Sequence, residues 1–558
     1  MGIVPWEDVS SFDGQAQGLD HHGMTLKTMV RSVPGLLLAA IVALAIGLRV
    51  RQAAGSMVYD EMASMYFSGQ SWGNLWGWWM LRETNPPLFY SLLKLWRMVV
   101  PSPGEWAIRL LPLMIGFAHL AVFGHYVRRR LGWPAALLGL LLFALSPADI
   151  YQSAYVRGYV LAKLMVLVSF IGLVRAIEAD GDRKAARSGW AAYVLAAVVA
   201  IYCHTTMVLW PVIVTIAVLV DEGLSRRLRM GLALRLIGAD LGIMVLSGWV
   251  IVIALAQLHA RSANIAWLVP LNWIDYQSSL NLQLLTGGAF SALLMAGLML
   301  IGLIRRFRSR IVRLAALISL LTVVLFKLAD QVHPIISDYT MHWCANFTVL
   351  LAAASLTGGV IGEDPARRFL RQVSALSVLG GVALAGLVDL FVVDYMVVPQ
   401  DWRATVHTVA DHPGAALLVS HESIGVVIEQ TCLVEFGSEH CPFPLVVMSD
   451  PRQTDNWAFG GYHGRLVRPE DVRAALGKAS TIYAFSRYYY TPLQHLGLDP
   501  GDWNEVMWDD GELIGPIPAT AFDPPGPGEP PRKADYNAQY TGQIDDDDDS
   551  ADDGDGGD

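Results

Sequence analysis

The sequence predicts an all-α polytopic membrane protein of about eleven transmembrane helices, with interfacial helices in its first outer loop and a small external α/β domain. Three observations carry this prediction. Of the 558 residues, 54% are hydrophobic and only 16% are charged, against about 25% charged in soluble domains. Many windows of roughly 17–22 residues carry no charge, which is enough to cross a hydrocarbon core of about 30 Å. Beyond residue 394 the pattern changes to short β-like runs (Ala415–Ser420, Leu445–Met448, Thr481–Phe485) alternating with helical ones. The composition excludes a soluble enzyme, a disordered chain and a disulfide-rich secreted module.

Residues 1–32 form a polar segment containing Glu7, Asp8, Asp13 and Asp20. The first apolar run begins only at Val33 and no small-residue cleavage pattern follows it, so it reads as a signal anchor and not as a cleavable signal peptide. Within a transmembrane domain at 33–394, spans are expected near 33–50, 106–127, 133–147, 158–177, 189–203, 205–220, 234–256, 284–304, 311–328, 341–361 and 374–394. They should be helical, because backbone polar groups in lipid must be satisfied within the segment. With a cytoplasmic N-terminus, the loops around 128–130, 175–187, 226–235, 305–313 and 367–371 hold nineteen Lys and Arg. The opposite loops hold six: Arg51, Arg82, Lys94, Arg97, Arg157 and Arg261. This positive-inside bias in a plasma or inner membrane places the residues after 394 outside.

The first outer loop, about 51–105, carries Trp72, Trp76, Trp78, Trp79 and Trp96. Aromatic side chains of this kind favour the membrane–water boundary, so two helices lying in that plane are expected. The second should begin at Asn85-Pro86-Pro87, with Asn85 as N-cap and Pro at the first helical position. Residues 395–515 form the external domain and 516–558 a disordered tail. Nine Asp and no basic residue lie in 545–558; without them the net charge of −10 becomes −1. Such a tail has nothing to bury and reads as solubilising. Cys432 and Cys441 form a disulfide if their region faces an oxidising compartment, and are otherwise separate thiols. Cys203 and Cys344 read as buried small hydrophobes. No CxxC pair supports a zinc site.

Several polar residues cluster at the predicted outer rim. Asp60-Glu61 follows the first span by about ten residues. Adjacent carboxylates beside a low-dielectric surface can serve as a general base; they also suit the first turn of a helix. Arg157 is the only basic residue of the second outer loop and sits at a helix N-terminus, where the dipole disfavours cations. It needs an anion, either a phosphate group or the Asp60, Glu61 or Asp149 carboxylates; a snorkelling interfacial Arg is the alternative. His204 lies in a short outer turn. His333, Asp338 and His342 surround another outer loop, and without HxxxH or HExxH spacing they read as interfacial residues and not as metal ligands.

Taken in order, Asp60-Glu61, Asn85-Pro86-Pro87-Leu88-Phe89-Tyr90, Arg109-Leu110, Ser146-Pro147, Arg157-Gly158-Tyr159, Tyr202-Cys203-His204-Thr205-Thr206 and Asp401-Trp402-Arg403 resemble the motif series of the GT-C membrane glycosyltransferases. The branch is the one holding protein O-mannosyltransferases, the lipid A aminoarabinose transferase and the RgtA/B/C/D-like enzymes. The resemblance spans about residues 34–395. It implies sugar transfer from a polyprenyl-phosphate donor at the outer face of the membrane to an envelope lipid, glycan or protein. It implies no nucleic-acid partner, no cofactor and no indicated metal.

On that resemblance Asp60, Glu61 and Asp149 are the catalytic candidates, with Asp60 as base. Arg157, Tyr159, Asn85, His204, Tyr155 and His342 are the substrate-binding candidates. Three departures stand out. The family's His before Pro-Pro is Asn85. Its Glu two residues before the Arg is Tyr155. Its late Arg-Tyr pair is replaced by Asp338-Tyr339 and His342-Trp343. A catalytically inactive scaffold and a transporter are the rival readings; a transporter would carry its ionisable residues near the membrane midplane.

Overall fold

The structure is a computed structural model describing residues 21–538, apart from 180, 226–228, 261–269, 284–287, 338–339, 358–364, 392–400, 450–465, 488–490, 509–510, 529 and 537. The expected acidic run at 545–558, most of the N-terminal segment and the Asp338-Tyr339 pair lie outside the described residues.

The chain opens with α1 (His21–Ala53), whose apolar part is Pro34–Ala53. The first loop folds as α2 (Tyr59–Gly69), the single turn α3 (Trp72–Leu75) and α4 (Leu88–Val99). The bundle continues with α5 (Glu105–Leu131), α6 (Trp133–Leu145), α7 (Pro147–Ala154), α8 (Tyr159–Ile177), α9 (Arg183–Cys203), α10 (Leu209–Leu224), α11 (Met230–Leu246), α12 (Gly248–Ala260), α13 (Trp273–Gln283), α14 (Ala289–Arg306), α15 (Arg310–Val332), α16 (Ala345–Ala353) and α17 (Pro365–Phe391).

Within the described residues, each of the eleven expected spans falls at least partly on helix. Among the described residues, seven helices are long and apolar enough to cross a membrane on their own. Two bent pairs bring the number to nine: α6 with α7 at 69°, and α11 with α12 at 66°. The first bend falls at Ser146-Pro147, where Ser146 caps α7 by accepting from the Asp149 N–H and Pro147 cannot continue the α6 ladder. The outer faces carry exposed Val245, Leu300, Leu320 and Leu384. Such surface would drive aggregation in water and is ordinary contact in lipid. Helices α8 and α9 approach through glycine: a Cβ on Gly172 or Gly189 would lie under 3 Å from backbone atoms of the other helix.

At one end of the bundle, Asp221 and Glu222 at the close of α10 are buried against Arg310 and Arg313 of α15, with Arg229 on Glu222. The close of α10, Arg229 and the start of α15 therefore meet at that end, and Arg130 of α5 pairs likewise with Glu178 at the close of α8. The other end, called the rim here, carries the first-loop helices and the α/β domain.

The α/β domain comprises α18 (Trp402–Ala410), β1 (Ala415–Ser420), α19 (Glu422–Phe436), β2 (Leu445–Met448), the single turn α20 (Val472–Ala475), β3 (Thr481–Ser486), the single turn α21 (Pro492–His495), β4 (Glu505–Trp508) and β5 (Gly511–Pro518). The sheet order is β2-β1-β3-β5-β4. β1 is parallel to β2 and β3, and β5 is antiparallel to β3 and β4.

Alternation along the strands sorts two cores. Leu417, Val419, Tyr483 and Phe485 join α18, α19 and the first-loop residues Met62, Phe67 and Phe89 in one cluster. Ala416, Leu418, Ile482 and Ala484 pack with Leu493 and Ile514 on the opposite face. The domain thus shares its core with the interfacial helices and is seated on the rim. Arg403 pins it further, pairing with Glu105 at the start of α5 and with Glu435 of α19. Cys432 and Cys441 form the disulfide; Cys203 and Cys344 are buried free thiols.

Two expectations are corrected. Asn85 does not cap α4: Pro87 holds the N-cap position without a side-chain bond, and the Asn85 side chain turns back to Glu83. The sheet runs past residue 515, since β5 extends to Pro518 with Ile517 fully buried. Farther along, Tyr536 lies against the His495 ring.

Candidate active site at the membrane rim

Helix α2 begins at Tyr59 because Glu61 accepts the otherwise unpaired Val58 N–H at 2.9 Å, and Asp60 and Glu61 suit the positive helix start. Glu61 is 1% exposed. It also receives Arg109 Nε at 3.0 Å and Nη2 at 2.6 Å, and the Val156 N–H at 3.1 Å. Arg109 spends its remaining N–H groups on the carbonyls of Ala53, Gly55 and Ser56, at and just beyond the end of α1. Glu61 therefore ties α1, α2, α5 and the loop before α8 together.

Asp60 faces the other way, its side chain 43% exposed. Its Oδ2 accepts from the Tyr155 hydroxyl at 2.5 Å and its Oδ1 from Arg157 Nη2 at 2.7 Å. Partial burial would raise the Asp60 carboxyl; the Arg157 charge and the Tyr155 and Arg157 hydrogen bonds outweigh it and hold the group below the ordinary carboxylate range. Burial, then Asp60, push the Tyr155 phenol well above its ordinary value, so Tyr155 remains a donor.

The anion that Arg157 requires is supplied twice. Besides Asp60, its Nη1 reaches Glu83 at 3.4 Å and the Tyr90 hydroxyl at 2.6 Å. Glu83 Oε1 also accepts from Tyr90 at 2.9 Å and from the Asn85 amide at 2.9 Å. Gln257 donates at 2.6 Å to the Glu83 carbonyl, holding that turn. The buried Nε of Arg157 has no partner among the described residues. Gly158 lets this loop close on the end of α9, since a Cβ there would sit 2.7 Å from the Cys203 carbonyl oxygen.

Tyr155 and Tyr159 stack with centroids 6.1 Å apart, and the His204 ring lies 4.9 Å from Tyr159. His204 Nδ1 lies 2.7 Å from Thr206 Oγ1. Burial, and then the Arg157 charge, lower its imidazole to about 4, so it is neutral at pH 7.

Asp60, Tyr155, Arg157, Asn85, Tyr159 and His204 therefore converge. Glu83, Tyr90 and Gln257 are the participants that sequence reasoning missed. Glu83 carried a signal, as the one acidic residue just before Pro86-Pro87. Asp149 and His342 belong elsewhere. They are 3% and 0% exposed and sit within the bundle, where Asp149 accepts from Arg49 at 2.5 Å and from Lys163, and His342 Nε2 lies 3.0 Å from Lys163 Nζ. The reason is Pro147, which folds Asp149 inward on α7. Glu61 is likewise closed to solvent. Among the described residues no group of three or more His, Cys, Asp or Glu side chains could hold a metal ion.

No protein-family model and no curated protein sequence matches the chain. Solved structures do. ArnT from Cupriavidus metallidurans, in the apo state, aligns over 88% of this chain and 99% of its own, with a TM-score of 0.56 at 14% identity. The same protein bound to undecaprenyl phosphate aligns over the same shares, with a TM-score of 0.54 at 15% identity. An Archaeoglobus fulgidus oligosaccharyltransferase aligns more loosely, over 80% of this chain and 67% of its own, at a TM-score of 0.47 and 10% identity. The chain thus shares the fold of ArnT, and its seven to nine helices long and apolar enough to cross a membrane make it an integral multi-pass membrane protein.

Proposed function

We propose that the chain is a glycosyltransferase that moves a sugar from a polyprenyl-phosphate donor to a hydroxyl of an envelope lipid, glycan or protein at the rim, and that the rim faces the outside of the membrane. The observation that carries this reading is the partition of the carboxylates. Glu61, Glu83 and Asp149 are buried among bonded partners, while the Asp60 side chain is 43% exposed. The fold shared with a protein that binds undecaprenyl phosphate supports the donor class, and the Arg-rich turns at the opposite end support the orientation.

In the reaction, the acceptor oxygen attacks the anomeric carbon as the bond from that carbon to the phosphate oxygen breaks. The phosphate leaves with the electron pair. Asp60, kept ionised by Arg157 and Tyr155, orients the acceptor hydroxyl and receives its proton as the new bond forms. Arg157 steadies anionic charge at the site. Glu83, Tyr90 and Asn85 position Arg157. Glu61 and Arg109 fix the start of α2 and so aim Asp60.

The buried Arg49–Asp149–Lys163–His342 cluster bears on the transporter alternative. Arg49 lies four residues from the rim end of α1 and Lys163 four from the rim end of α8, a depth of about 6 Å at 1.5 Å per residue. The midplane of a bilayer core lies at about 15 Å, so the cluster reads as a brace beneath the rim. Mass analysis of envelope glycans and lipids from a deletion strain tests the proposal: a sugar substituent present in the parent should be missing. An unchanged glycan and lipid profile, with the gene confirmed as expressed in the parent, counts against it.

A further inference from the structure

The C-terminal end of α2 borders a cavity of about 430 Å³ between the first-loop helices and the α/β domain. Lys94 and Arg97 of α4 line one side of it. Leu433 and Gly437, at the end of α19, line the other, where the Cys432–Cys441 bridge holds the chain that leads to β2. Met98 and Val100 give the cavity an apolar border.

Both cations brace α2, and that role does not saturate them. Lys94 Nζ donates to the Gln70 carbonyl at 2.8 Å and lies 3.4 and 3.5 Å from the Ser68 and Gly69 carbonyls, with the Trp72 ring centre at 5.7 Å. Arg97 Nη1 donates to the Met65 carbonyl at 3.0 Å and to the Ser68 hydroxyl at 2.9 Å. These bonds satisfy the last carbonyls of α2. Among the described residues, the Nε and Nη2 groups of Arg97 make no hydrogen bond, and no carboxylate lies within 4 Å of either cation. Glu439 is the carboxylate whose charge acts on Arg97; it is exposed and accepts from the Gln430 amide at 3.2 Å. Two formal positive charges against one negative leave this wall net positive.

The same stretch of α4 is built to meet lipid. Leu95, Met98 and Val99 are 50%, 61% and 77% exposed, and on the neighbouring α5 Trp106, Leu110 and Met114 form a second exposed row at four-residue spacing. Residues three and four apart share a helix face, so each set is a stripe that acyl chains would cover. Basic residues at the edge of such a stripe stand at the level of the lipid headgroups, and Lys94 and Arg97 each lie one residue from it.

We propose that this cavity holds the headgroup phosphate of an anionic phospholipid from the surrounding leaflet, bound by Lys94 and Arg97, with the acyl chains along the α4 stripe. A phosphate diester carries one negative charge, which balances the wall, and its oxygens suit the guanidinium N–H groups that α2 leaves unused. The site is separate from the donor reading above: Asp60 and Gly69 lie at opposite ends of α2, nine residues or about 14 Å apart, so a phosphate here is not the one that leaves during sugar transfer.

The test measures, by native mass spectrometry, the lipids retained by the full-length protein after exchange into mixed micelles. The micelles hold equal amounts of phosphatidylglycerol and phosphatidylcholine with the same acyl chains. Wild type should retain phosphatidylglycerol in preference. Lys94→Gln and Arg97→Gln should each reduce that preference about fivefold. Glu439→Gln should raise it about twofold, which cations serving only to cap α2 would not do, and this variant decides the matter if the other two unfold. Unchanged preference in folded Lys94→Gln and Arg97→Gln proteins overturns the proposal. So does an unchanged or lowered preference in Glu439→Gln, or a wild type that does not distinguish the two lipids. Displacement of the lipid by millimolar inorganic phosphate would replace the lipid assignment with a site for the free anion.

Discussion

Asp60 and Glu61 are adjacent on the first turn of α2 and face opposite environments: Glu61 is sealed on Arg109 with Nη2 and Oε2 2.6 Å apart, while Asp60 keeps 43% of its side chain open beside Arg157. Successive helical residues are about 100° apart, so neighbours in sequence do not share a face. One carboxylate holds the rim together and the other is left for chemistry.

That division sets the outcome of mutating Glu61. Glu61→Ala should leave Arg109 charged and buried, costing about 3–5 kcal/mol. The detergent-extracted protein should show a lower unfolding temperature, and activity should fall with the folded fraction. Wild-type thermal stability in Glu61→Ala would contradict the structural role.

The Cys432–Cys441 bridge closes a short loop between α19 and β2, at a sequence separation of nine. Replacing both residues by Ser should lower the stability of the α/β domain by about 2–3 kcal/mol. Non-reducing peptide mapping should recover the linked peptides. Free thiols at both positions in exported protein would reject both the bridge and the oxidising compartment.

The orientation can be checked with engineered cysteines, because the native Cys203 and Cys344 are buried. Lys478→Cys in the α/β domain should react with an impermeant maleimide in intact spheroplasts. Lys184→Cys at the start of α9 should react only after lysis. The reverse pattern would place the rim on the cytoplasmic side and remove the proposed access to an envelope acceptor.

The fold was legible because its signals are local. Charge-free windows marked the bundle, and short β-like runs between helical patterns marked β1, β2 and β3 to within a residue. The α6–α7 bend could have been read from Ser146-Pro147. The site was legible in part. Asp60, Tyr155 and Arg157 lie in loops and helix starts whose polarity stands out against apolar neighbours. Glu83 carried only a weak signal beside Pro86-Pro87, because its role comes from contacts with Arg157 and Tyr90 that are distant in sequence. Asp149 looked like its rim neighbours in sequence, and only the inward turn of α7 separates it from them. Arg49 and Lys163, one turn inside their helices, could be matched with Asp149 only in three dimensions.

A different pH response is expected from the α/β domain. Partial burial, then the Glu505 charge, raise the Glu512 carboxyl from 4.5 to about 7, against a smaller opposing effect of Ser486. A raised carboxyl binds its proton more tightly in the folded state than in the unfolded one. Its stabilising contribution is therefore complete below about pH 4.5 and is lost as pH rises through about 7. Thermal unfolding should show the domain losing on the order of 1 kcal/mol across that window, and Glu512→Gln should remove this part of the slope. An identical pH profile in the variant would show that Glu512 titrates normally.

The decisive substitution is Asp60→Asn. It keeps the size of the side chain and its bond from Tyr155 while removing the charge and the basicity. If Asp60 receives the acceptor proton, transfer from a radiolabelled polyprenyl-phosphate sugar in membranes should fall by about 10²–10⁴-fold. Stability should stay near wild type, because a half-exposed carboxylate contributes little packing and its pair with Arg157 is partly screened. The contrast with Glu61→Ala is the discriminating feature: that variant should lose fold first and activity as a consequence, whereas Asp60→Asn should lose activity with the fold intact. Arg157→Ala should fall between them, since it leaves Glu83 buried without its guanidinium and also weakens donor use. Near-normal transfer by Asp60→Asn would remove Asp60 as the base. Asp149 could not take its place from within its bundle of Arg49, Lys163 and His342, so the acceptor would then have to be one that loses its proton to solvent.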